Sequence, residues 1–345
     1  MGKWLDPADA RWQSTLHGVP HDFYHFPCYV ELAARTDGGF ATAYYAEIGA
    51  GRMLIPLLIR PLDGVAGAPP QAQDAISPYG YAGPLISDGL SDAEVQRAMG
   101  TFIDDGAERG LITTFLRLHP LLPSVARGIA REARARVVAH GPTVSVDLTQ
   151  ETAALDREVR SNHRRNVARL EAAGFTVRFD AWDDYPAFQA AYDATMARHH
   201  AADRYLFGAA YFEDLRACLG DALHLCAVSS PAGELACGGL FTHVGAIVQY
   251  HLGATADQHL SLAPSKLMFA AARHWGKAQG ATVLHLGGGV QGRDDSLYLF
   301  KRGFGSGEHV FQSVSIVHDP VAYDAMTKHR VPDSFFPLYR AAAPA

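Results

Sequence analysis

The sequence predicts an α/β (α+β) chain of two related units, whose mixed, mostly antiparallel sheets are flanked by helices. Strand-like and helix-like segments alternate along the 345 residues, and the order strands, helix, strand, helix, strand occurs once in each half. The composition, with 48% apolar and 19% charged residues, is that of a globular chain that can bury a full core. We expect an N-terminal domain over residues 1–150 and a C-terminal domain over 151–345.

The first half begins with a predicted hairpin, in which strands over residues 40–46 and 52–60 are joined by a Gly-rich turn. Residues 92–109 have apolar side chains near helical spacing and precede a glycine, which favours a helix that ends there. Strands are predicted over residues 111–118 and 143–148, the second because polar and apolar residues alternate in it.

A helix over residues 151–173 is predicted to open the second half. Its apolar stripe includes one histidine and consists of Leu155, Val159, His163, Val167 and Leu170. Helices are also predicted over 184–200 and 209–219 and from Pro264 to about residue 279, with antiparallel strands over 223–230, 234–244 and 246–254.

The stretch LGGGVQGRDDSLYLFKRGFG, residues 286–305, predicts a strand, a glycine turn and a short helix. No G-K-[ST] follows the glycines, which disfavours a phosphate-binding loop. Asp295 is placed to cap the helix, and Leu297, Phe300, Lys301 and Phe304 share one face of it. Because that face is mostly apolar, Lys301 should point inward, where it either extends to the surface or serves a polar pocket.

Five segments together resemble the FemABX-like branch of the GNAT acyltransferase superfamily. They are SPYGYAGP (77–84), RSNHRRNVARLEAAGFTV (160–177), YHLGAT (250–255), LHLGGG (284–289) and DSLYLFKRGFG (295–305). The resemblance covers nearly the whole chain and implies two tandem GNAT-like domains. It also implies transfer of an amino acid from aminoacyl-tRNA to an amine, which in known members belongs to a peptidoglycan precursor, a small molecule or a peptide.

The same resemblance implies the site residues. Phe300 and Lys301 match the family's catalytic Phe-Lys pair, whose lysine stabilises the oxyanion formed during ester aminolysis. Arg204 matches a substrate-binding arginine, and Tyr250 is a substrate-binding candidate by analogy.

Three further residues are candidates for substrate binding. Tyr79 and Tyr81 lie in a turn that glycines and prolines make rigid, and a rigid turn with aromatic edges suits a small-molecule pocket. Asp295 is the third, although capping of the short helix is an alternative role for it.

An excess of arginine marks the start of the second half. Five arginines and one acid lie between residues 160 and 178, and Arg157, Arg160 and Arg164 share one flank of the predicted helix. In a chain of net charge −6 such a flank suits phosphate groups, although a solvated helix face is the alternative. We expect the acceptor arm of tRNA to bind Arg160, Arg164, Arg165 and Arg169.

Other classes of function are less well supported. There is no H-E-x-x-H metal motif, so we expect no metal and no cofactor, with aminoacyl-tRNA as donor substrate. The N-terminus lacks the pattern of a secretion signal and no apolar run could span a membrane, which favours the cytoplasm. An acyl-CoA-dependent N-acyltransferase is the alternative enzyme, and an inactive binding module is the alternative outside catalysis.

The acceptor and pathway are predicted from departures from the family pattern. The first domain lacks the lysine with which cell-wall members bind a nucleotide diphosphate, and His21, Tyr24 and His25 occupy that region. The long coiled-coil insertion of some cell-wall members is also missing. Antibiotic or other natural-product biosynthesis is therefore favoured over a peptidoglycan-precursor aminoacyltransferase.

Overall fold

The chain forms two compact units in the computed structural model, which describes residues 2–199, 206–331 and 333–341. The first unit comprises Met1–His140 and Phe311–Ala345, and the second comprises Gly141–Val310. The sequence suggested a single boundary near residue 150 and gave no sign that residues 311–345 return to the first unit. They do so because residues 313–317 pair with the strand at 111–117 and place Val314 and Ile316 in its core.

The secondary structure begins with a strand, two helices and a hairpin. In chain order the elements up to residue 147 are β1 (Lys3–Leu5), α1 (Ala10–Gly18), α2 (Pro27–Asp37), β2 (Phe40–Ile48), β3 (Gly51–Pro61), β4 (Gln73–Ile76), β5 (Leu85–Ile86), α3 (Asp92–Glu108), β6 (Leu111–Arg117), α4 (Ala126–Ile129) and β7 (Ala135–Asp147).

The remaining elements carry more helix. They are α5 (Thr152–Glu158), α6 (Ser161–Ala172), β8 (Thr176–Arg178), α7 (Tyr185–Arg198), α8 (Ala209–Leu219), β9 (Leu223–Ser229), β10 (Leu235–Val244), β11 (Ile247–Thr255), α9 (Ser265–Ala278), β12 (Val283–Gly288), α10 (Ser296–Lys301), β13 (Gly307–Val317) and α11 (Pro320–Thr327).

The first unit is a mixed sheet with helices on both faces. Strands β1, β2, β3 and β4 pair antiparallel in that order, β4 pairs parallel to β6, and β6 pairs antiparallel to β13. Along β3, Met53 and Ile55 pack with helix α3, whereas Leu54 and Leu58 pack with α1 and α2. Because β3 is buried on both faces, it reads as a continuous apolar run.

The second unit carries a six-strand sheet in the order β7, β12, β11, β10, β9, β8. Only β11 and β12 pair parallel, and the other neighbours are antiparallel. Helix α9 packs on one face through Phe269 and Ala272, against Val248 and Leu284. On α7, Phe188 lies so close to Gly238 of β10 that an added Cβ there would be 2.8 Å from the ring.

The predicted helix over 151–173 is wrong in one respect, because it is two helices. Val159 and Arg160 are extended and separate α5 from α6. The Arg160 N–H donates to the Gly303 carbonyl over 2.8 Å instead of continuing the helix. A tertiary hydrogen bond therefore overrides local helical spacing, and the arginines of the two helices do not form one continuous flank.

None of the helices in the described part of the chain combines the length and the apolar character that crossing a membrane requires.

Candidate active site

The glycine triplet shapes the end of β12. Gly287 has φ +72°, a conformation that glycine adopts without strain. Gly288 approaches the Pro142 carbonyl of β7, and a Cβ there would be 2.8 Å from that oxygen. A Cβ on Gly289 would be 2.3 Å from an oxygen of Asp295. All three positions therefore need glycine, for backbone geometry and close approach.

Asp295 fixes the start of the lysine helix, α10. Its Oδ1 accepts the Tyr298 N–H over 3.0 Å, and its Oδ2 accepts the Val290 N–H over 2.9 Å. Partial burial alone would raise the Asp295 pKa, but backbone N–H donors and Lys301 lower it below its ordinary value. Asp295 thus caps α10 and ties it to the glycine turn, while its predicted contact with substrate stays a prediction.

Lys301 ends α10 as a buried cation. Its side chain is 6% exposed, and Nζ donates to the Gly288 carbonyl over 2.7 Å. Nζ also lies 5.7 Å from the centroid of the Tyr250 ring. Burial lowers the Lys301 pKa to about 8, although Asp295 opposes this shift. Of the two roles left open by the sequence, extension to the surface is excluded.

The amine of Lys301 lies at a fork between two strands. Strands β11 and β12 pair only from Ile247–Val283 to Gln249–His285 and then separate. Tyr250 is the first residue of β11 past the last pair, and Gly288 ends β12. Because both contact Lys301, the amine stands where β11 and β12 diverge.

The last residue pair before β11 and β12 separate, Gln249 and His285, makes a buried polar contact between its side chains. His285 Nδ1 and Gln249 Oε1 are 2.7 Å apart, and Gln249 Nε2 donates to the Tyr250 carbonyl over 2.7 Å. Because an amide oxygen only accepts, the imidazole proton lies on Nδ1. The side chains of the last strand pair thus hold the backbone of Tyr250.

Aromatic rings surround the site on the side of α9. The Tyr250 ring packs edge-on against the Phe269 ring, with 4.8 Å between the ring centroids. Phe300 also packs against Phe269, with 5.8 Å between the centroids. An added Cβ on Gly253 would be 2.1 Å from the Tyr250 hydroxyl, so glycine makes room for it. Phe300, Lys301 and Tyr250 therefore come together. Leu297, predicted to face inward, is 39% exposed because it lies in the first turn, next to the loop.

Tyr79 and Tyr81 belong to the first unit, in the loop between β4 and β5. The Tyr79 carbonyl accepts from the Tyr29 hydroxyl over 3.2 Å. Tyr81 packs edge-on against Tyr24 and His119, and burial raises the pKa of its phenol. The turn is tightly held, and substrate binding by the two tyrosines stays a prediction. Arg204 lies outside the described residues.

The four predicted tRNA-binding arginines are exposed. Arg164 donates to the Arg157 carbonyl over 3.0 Å and to the Val159 carbonyl, and so caps the end of α5. Arg169 donates to the Leu262 carbonyl over 3.4 Å. Within the described ranges, none of the four forms an ion pair with a carboxylate, so their charges are uncompensated. Contact with tRNA stays a prediction.

Two contributors to the site were not identified from the sequence. The carbonyl of Gly288 anchors Lys301, and His163 donates to the Phe300 carbonyl over 3.2 Å. The glycine triplet was the sequence feature that could have indicated the Gly288 carbonyl, because such glycines mark a close approach of the backbone. For His163, the only indication in the sequence was its position as the one histidine in an apolar stripe.

Residues 157–301 match the acetyltransferase (GNAT) domain family, and the match ends on Lys301. FemX has a similar structure, with a TM-score of 0.70 and 13% identity over 92% of this chain and 98% of its own. L-PGS from Bacillus licheniformis has a TM-score of 0.54 and 10% identity, over 94% of this chain and 96% of its own. A tandem GNAT protein from the clavulanic acid biosynthesis pathway has a TM-score of 0.50 and 13% identity, over 93% of this chain and 99% of its own.

No curated protein matches the sequence. At these identities the likeness is one of fold. The predicted α/β class and the resemblance to the FemABX-like branch of the GNAT superfamily are confirmed at that level.

Proposed function

Starting from an acyltransferase fold of the GNAT superfamily, we propose that the protein is an aminoacyltransferase. It transfers an amino acid from aminoacyl-tRNA to the amine of a small-molecule or peptide acceptor. The observation that carries this proposal is a buried lysine amine, held by the Gly288 carbonyl and the Tyr250 ring where two strands separate.

The chemistry needs a positive charge at that point. The acceptor amine attacks the ester carbonyl carbon, a C–N bond forms, and negative charge develops on the carbonyl oxygen. The C–O bond to the 3′ oxygen of tRNA then breaks, and the amine proton leaves with that oxygen or to solvent. A buried ammonium stabilises both developing charges strongly, because little water screens it. Lys301 is assigned this role, and Phe300 packs beside it.

The exposed arginines support a polyanionic donor. Arg165 and Arg169 project from α6, and Arg160 directly precedes it. The Arg160 N–H is hydrogen-bonded to the carbonyl of Gly303, two residues after Lys301. Phosphate contacts from such side chains position a nucleic acid without reading its sequence. The 3′ end of tRNA would then approach the lysine helix.

Transfer from an acyl-CoA is the second candidate, since the matching domain family is described as acetyltransferase. That donor needs free backbone N–H groups for a pyrophosphate at a helix N-terminus. At the start of α9, however, the N–H of Lys266 donates to Ala263, and those of Leu267 and Met268 donate to Pro264. These occupied donors favour the aminoacyl-tRNA.

Natural-product biosynthesis in the cytoplasm is the setting we propose. A tandem GNAT protein of similar fold belongs to the clavulanic acid pathway. The first unit also has buried His25 and Tyr24 in the region where cell-wall members carry a lysine for a nucleotide diphosphate. A peptidoglycan precursor is the alternative acceptor.

Donor binding tests the proposal most directly. The purified protein is incubated with a labelled pool of aminoacyl-tRNAs, or with acetyl-CoA, over a range of salt concentrations. We expect one charged tRNA to be retained, with an affinity that falls as salt rises. The variant Arg160→Ala/Arg165→Ala should bind more weakly and with a salt slope lower by about 1–2. Arg164 is left intact because it caps α5.

The matched control is Arg97→Ala/Arg127→Ala, which removes two exposed arginines of the first unit and so the same net charge. It should bind tRNA like the native chain. Saturable acetyl-CoA binding without retention of tRNA would replace the aminoacyl proposal by the acyl-CoA alternative.

A further inference from the structure

A buried histidine connects the arginine-rich helix α6 to the lysine helix α10. His163 is 3% exposed, and its ring stacks on Phe304 at 4.6 Å and 24°. Its Nε2 lies 3.2 Å from the Phe300 carbonyl. Because a carbonyl only accepts, the imidazole proton lies on Nε2, which donates this bond.

The chain around His163 is built to admit the ring. An added Cβ on Gly303 would be 2.2 Å from Nε2, so glycine leaves the space that the imidazole fills. The neighbouring Arg160 N–H donates to the Gly303 carbonyl over 2.8 Å. Two backbone carbonyls at or just after the C-terminal end of α10 are therefore held from the start of α6, one by the N–H of Arg160, which precedes the helix, and one by His163 within it.

The surroundings of Nδ1, the other ring nitrogen of His163, show what this residue contributes beyond packing. Nδ1 is buried and has no hydrogen-bond partner in the described part of the chain. A phenylalanine would occupy this place in the apolar stripe without leaving a buried acceptor unbonded. Burial lowers the His163 pKa; the hydrogen bond to Phe300 opposes this shift, and the charges of Lys266 and Arg160 add to it, so the net shift favours the neutral ring. The hydrogen bond to Phe300 is then what distinguishes histidine from an apolar residue here.

We propose that His163 is a positioning residue, which fixes the amine of Lys301 by holding the last turn of α10 through the Phe300 carbonyl. Lys301 is the next residue, and α10 has only six residues, Ser296–Lys301. A small rotation of so short a helix would move Nζ away from the Gly288 carbonyl. The kinetic part of this inference rests on the proposed function, whereas the placement of the amine is measurable without any substrate.

The test is competitive labelling of lysines with acetic anhydride as a function of pH, followed by mass spectrometry of the peptides. In the native protein Lys301 should react with an apparent pKa of about 8. In His163→Phe that pKa should move up by about one unit, because a loosened α10 exposes the amine to water. His163→Gln keeps an N–H at nearly the same reach and should behave like the native protein.

Lys277 is the internal control in each sample. Its Nζ donates to the Leu148 and Gln150 carbonyls, away from α10, and its labelling should not change. If the phenylalanine variant does not fold, His163→Leu, which also lacks a donor, takes its place.

Kinetics gives the second measurement. In His163→Phe, kcat should fall about tenfold with KM for the donor unchanged, and in His163→Gln it should recover. A Phe variant whose Lys301 labels like the native residue overturns the inference. Equal shifts in the Phe and Gln variants also overturn it, because ring packing and not the hydrogen bond would then be responsible. A labelling shift in the Phe variant alone supports it, even if the protein proves not to use aminoacyl-tRNA.

Discussion

Asp74 in the first unit and Lys301 in the second are both buried charged residues, and their surroundings differ in kind. In the first unit Asp74 is fully buried between two arginines, Arg60 and Arg340, and it also accepts from Tyr339. In the second unit Lys301 has a carbonyl and an aromatic ring, and no carboxylate within the described residues forms an ion pair with it. A fully compensated buried charge makes each of its partners costly to remove, whereas an undercompensated one remains available to a charge that develops in a reaction.

Removal of the undercompensated charge, that of Lys301, should have the largest effect. In Lys301→Met we expect turnover to fall roughly a hundredfold to a thousandfold, because an oxyanion loses its stabilising donor. The melting temperature should stay the same or rise, since a buried amine is replaced by an apolar chain of similar length. Turnover and thermal unfolding are measured on the same samples. Lys277→Met is the control, and near-native turnover in Lys301→Met would contradict the assignment.

Removing the compensated charge should have the opposite effect. Asp74→Asn leaves two arginines facing each other and should destabilise the first unit by about 3 kcal/mol. Turnover of the folded protein should change less than twofold. Urea unfolding is followed by tryptophan-selective fluorescence in a Trp182→Phe/Trp275→Phe background, where the two remaining tryptophans, Trp4 and Trp12, both lie in the first unit. A large loss of turnover in folded Asp74→Asn would show that the two charges do not differ in this way.

The glycine turn that leads to Lys301 can be tested by adding one carbon. In Gly289→Ala the Cβ would be 2.2 Å from the Arg293 carbonyl and 2.3 Å from Asp295. We expect a destabilisation of about 1–3 kcal/mol and a lower turnover, because the cap of α10 must move. In the control, Gly100→Ala, the new Cβ on helix α3 has no neighbour within 4 Å and should stabilise by about 0.4–1 kcal/mol.

The pH profile sharpens the role of Lys301. Its pKa of about 8 leaves the amine mostly charged at pH 7. If the charged form stabilises the oxyanion, turnover should fall as pH rises through about 8, approaching a tenfold loss per unit. A neutral amine acting as a base would give the opposite slope. The profile is recorded at constant ionic strength, and the limb near pH 8 should be missing from Lys301→Met.

The sequence predicted elements whose pattern is local. The hairpin β2–β3, the helix α8 over Ala209–Leu219 and the cap at Asp295 follow from strand patterning, helical spacing and capping chemistry, and the structure has all three. The inward direction of Lys301 followed from the apolar face of α10 in the same way.

What the sequence did not predict depends on contacts between distant residues. The break between α5 and α6 arises from the bond of Arg160 to Gly303, and the anchor of Lys301 is a carbonyl thirteen residues away. The periodicity of apolar residues carries no information about such hydrogen bonds. A backbone carbonyl is present at every residue, so the residue type does not indicate which carbonyl will accept one. The stripe of α6 marked His163 as unusual but could not give its partner.

The return of residues 311–345 to the first unit has a consequence for synthesis. Strand β6 is flanked by β4 on one side and by residues 313–317 on the other. A ribosome makes β4 and β6 early, but the strand that covers the second edge of β6 emerges only after the whole second unit. Until then the nascent first unit exposes an edge rich in β-branched residues, including Ile112, Thr113 and Thr114, which is a site for pairing with other chains. Chaperone demand during translation should therefore be set by the time needed to make residues 141–310.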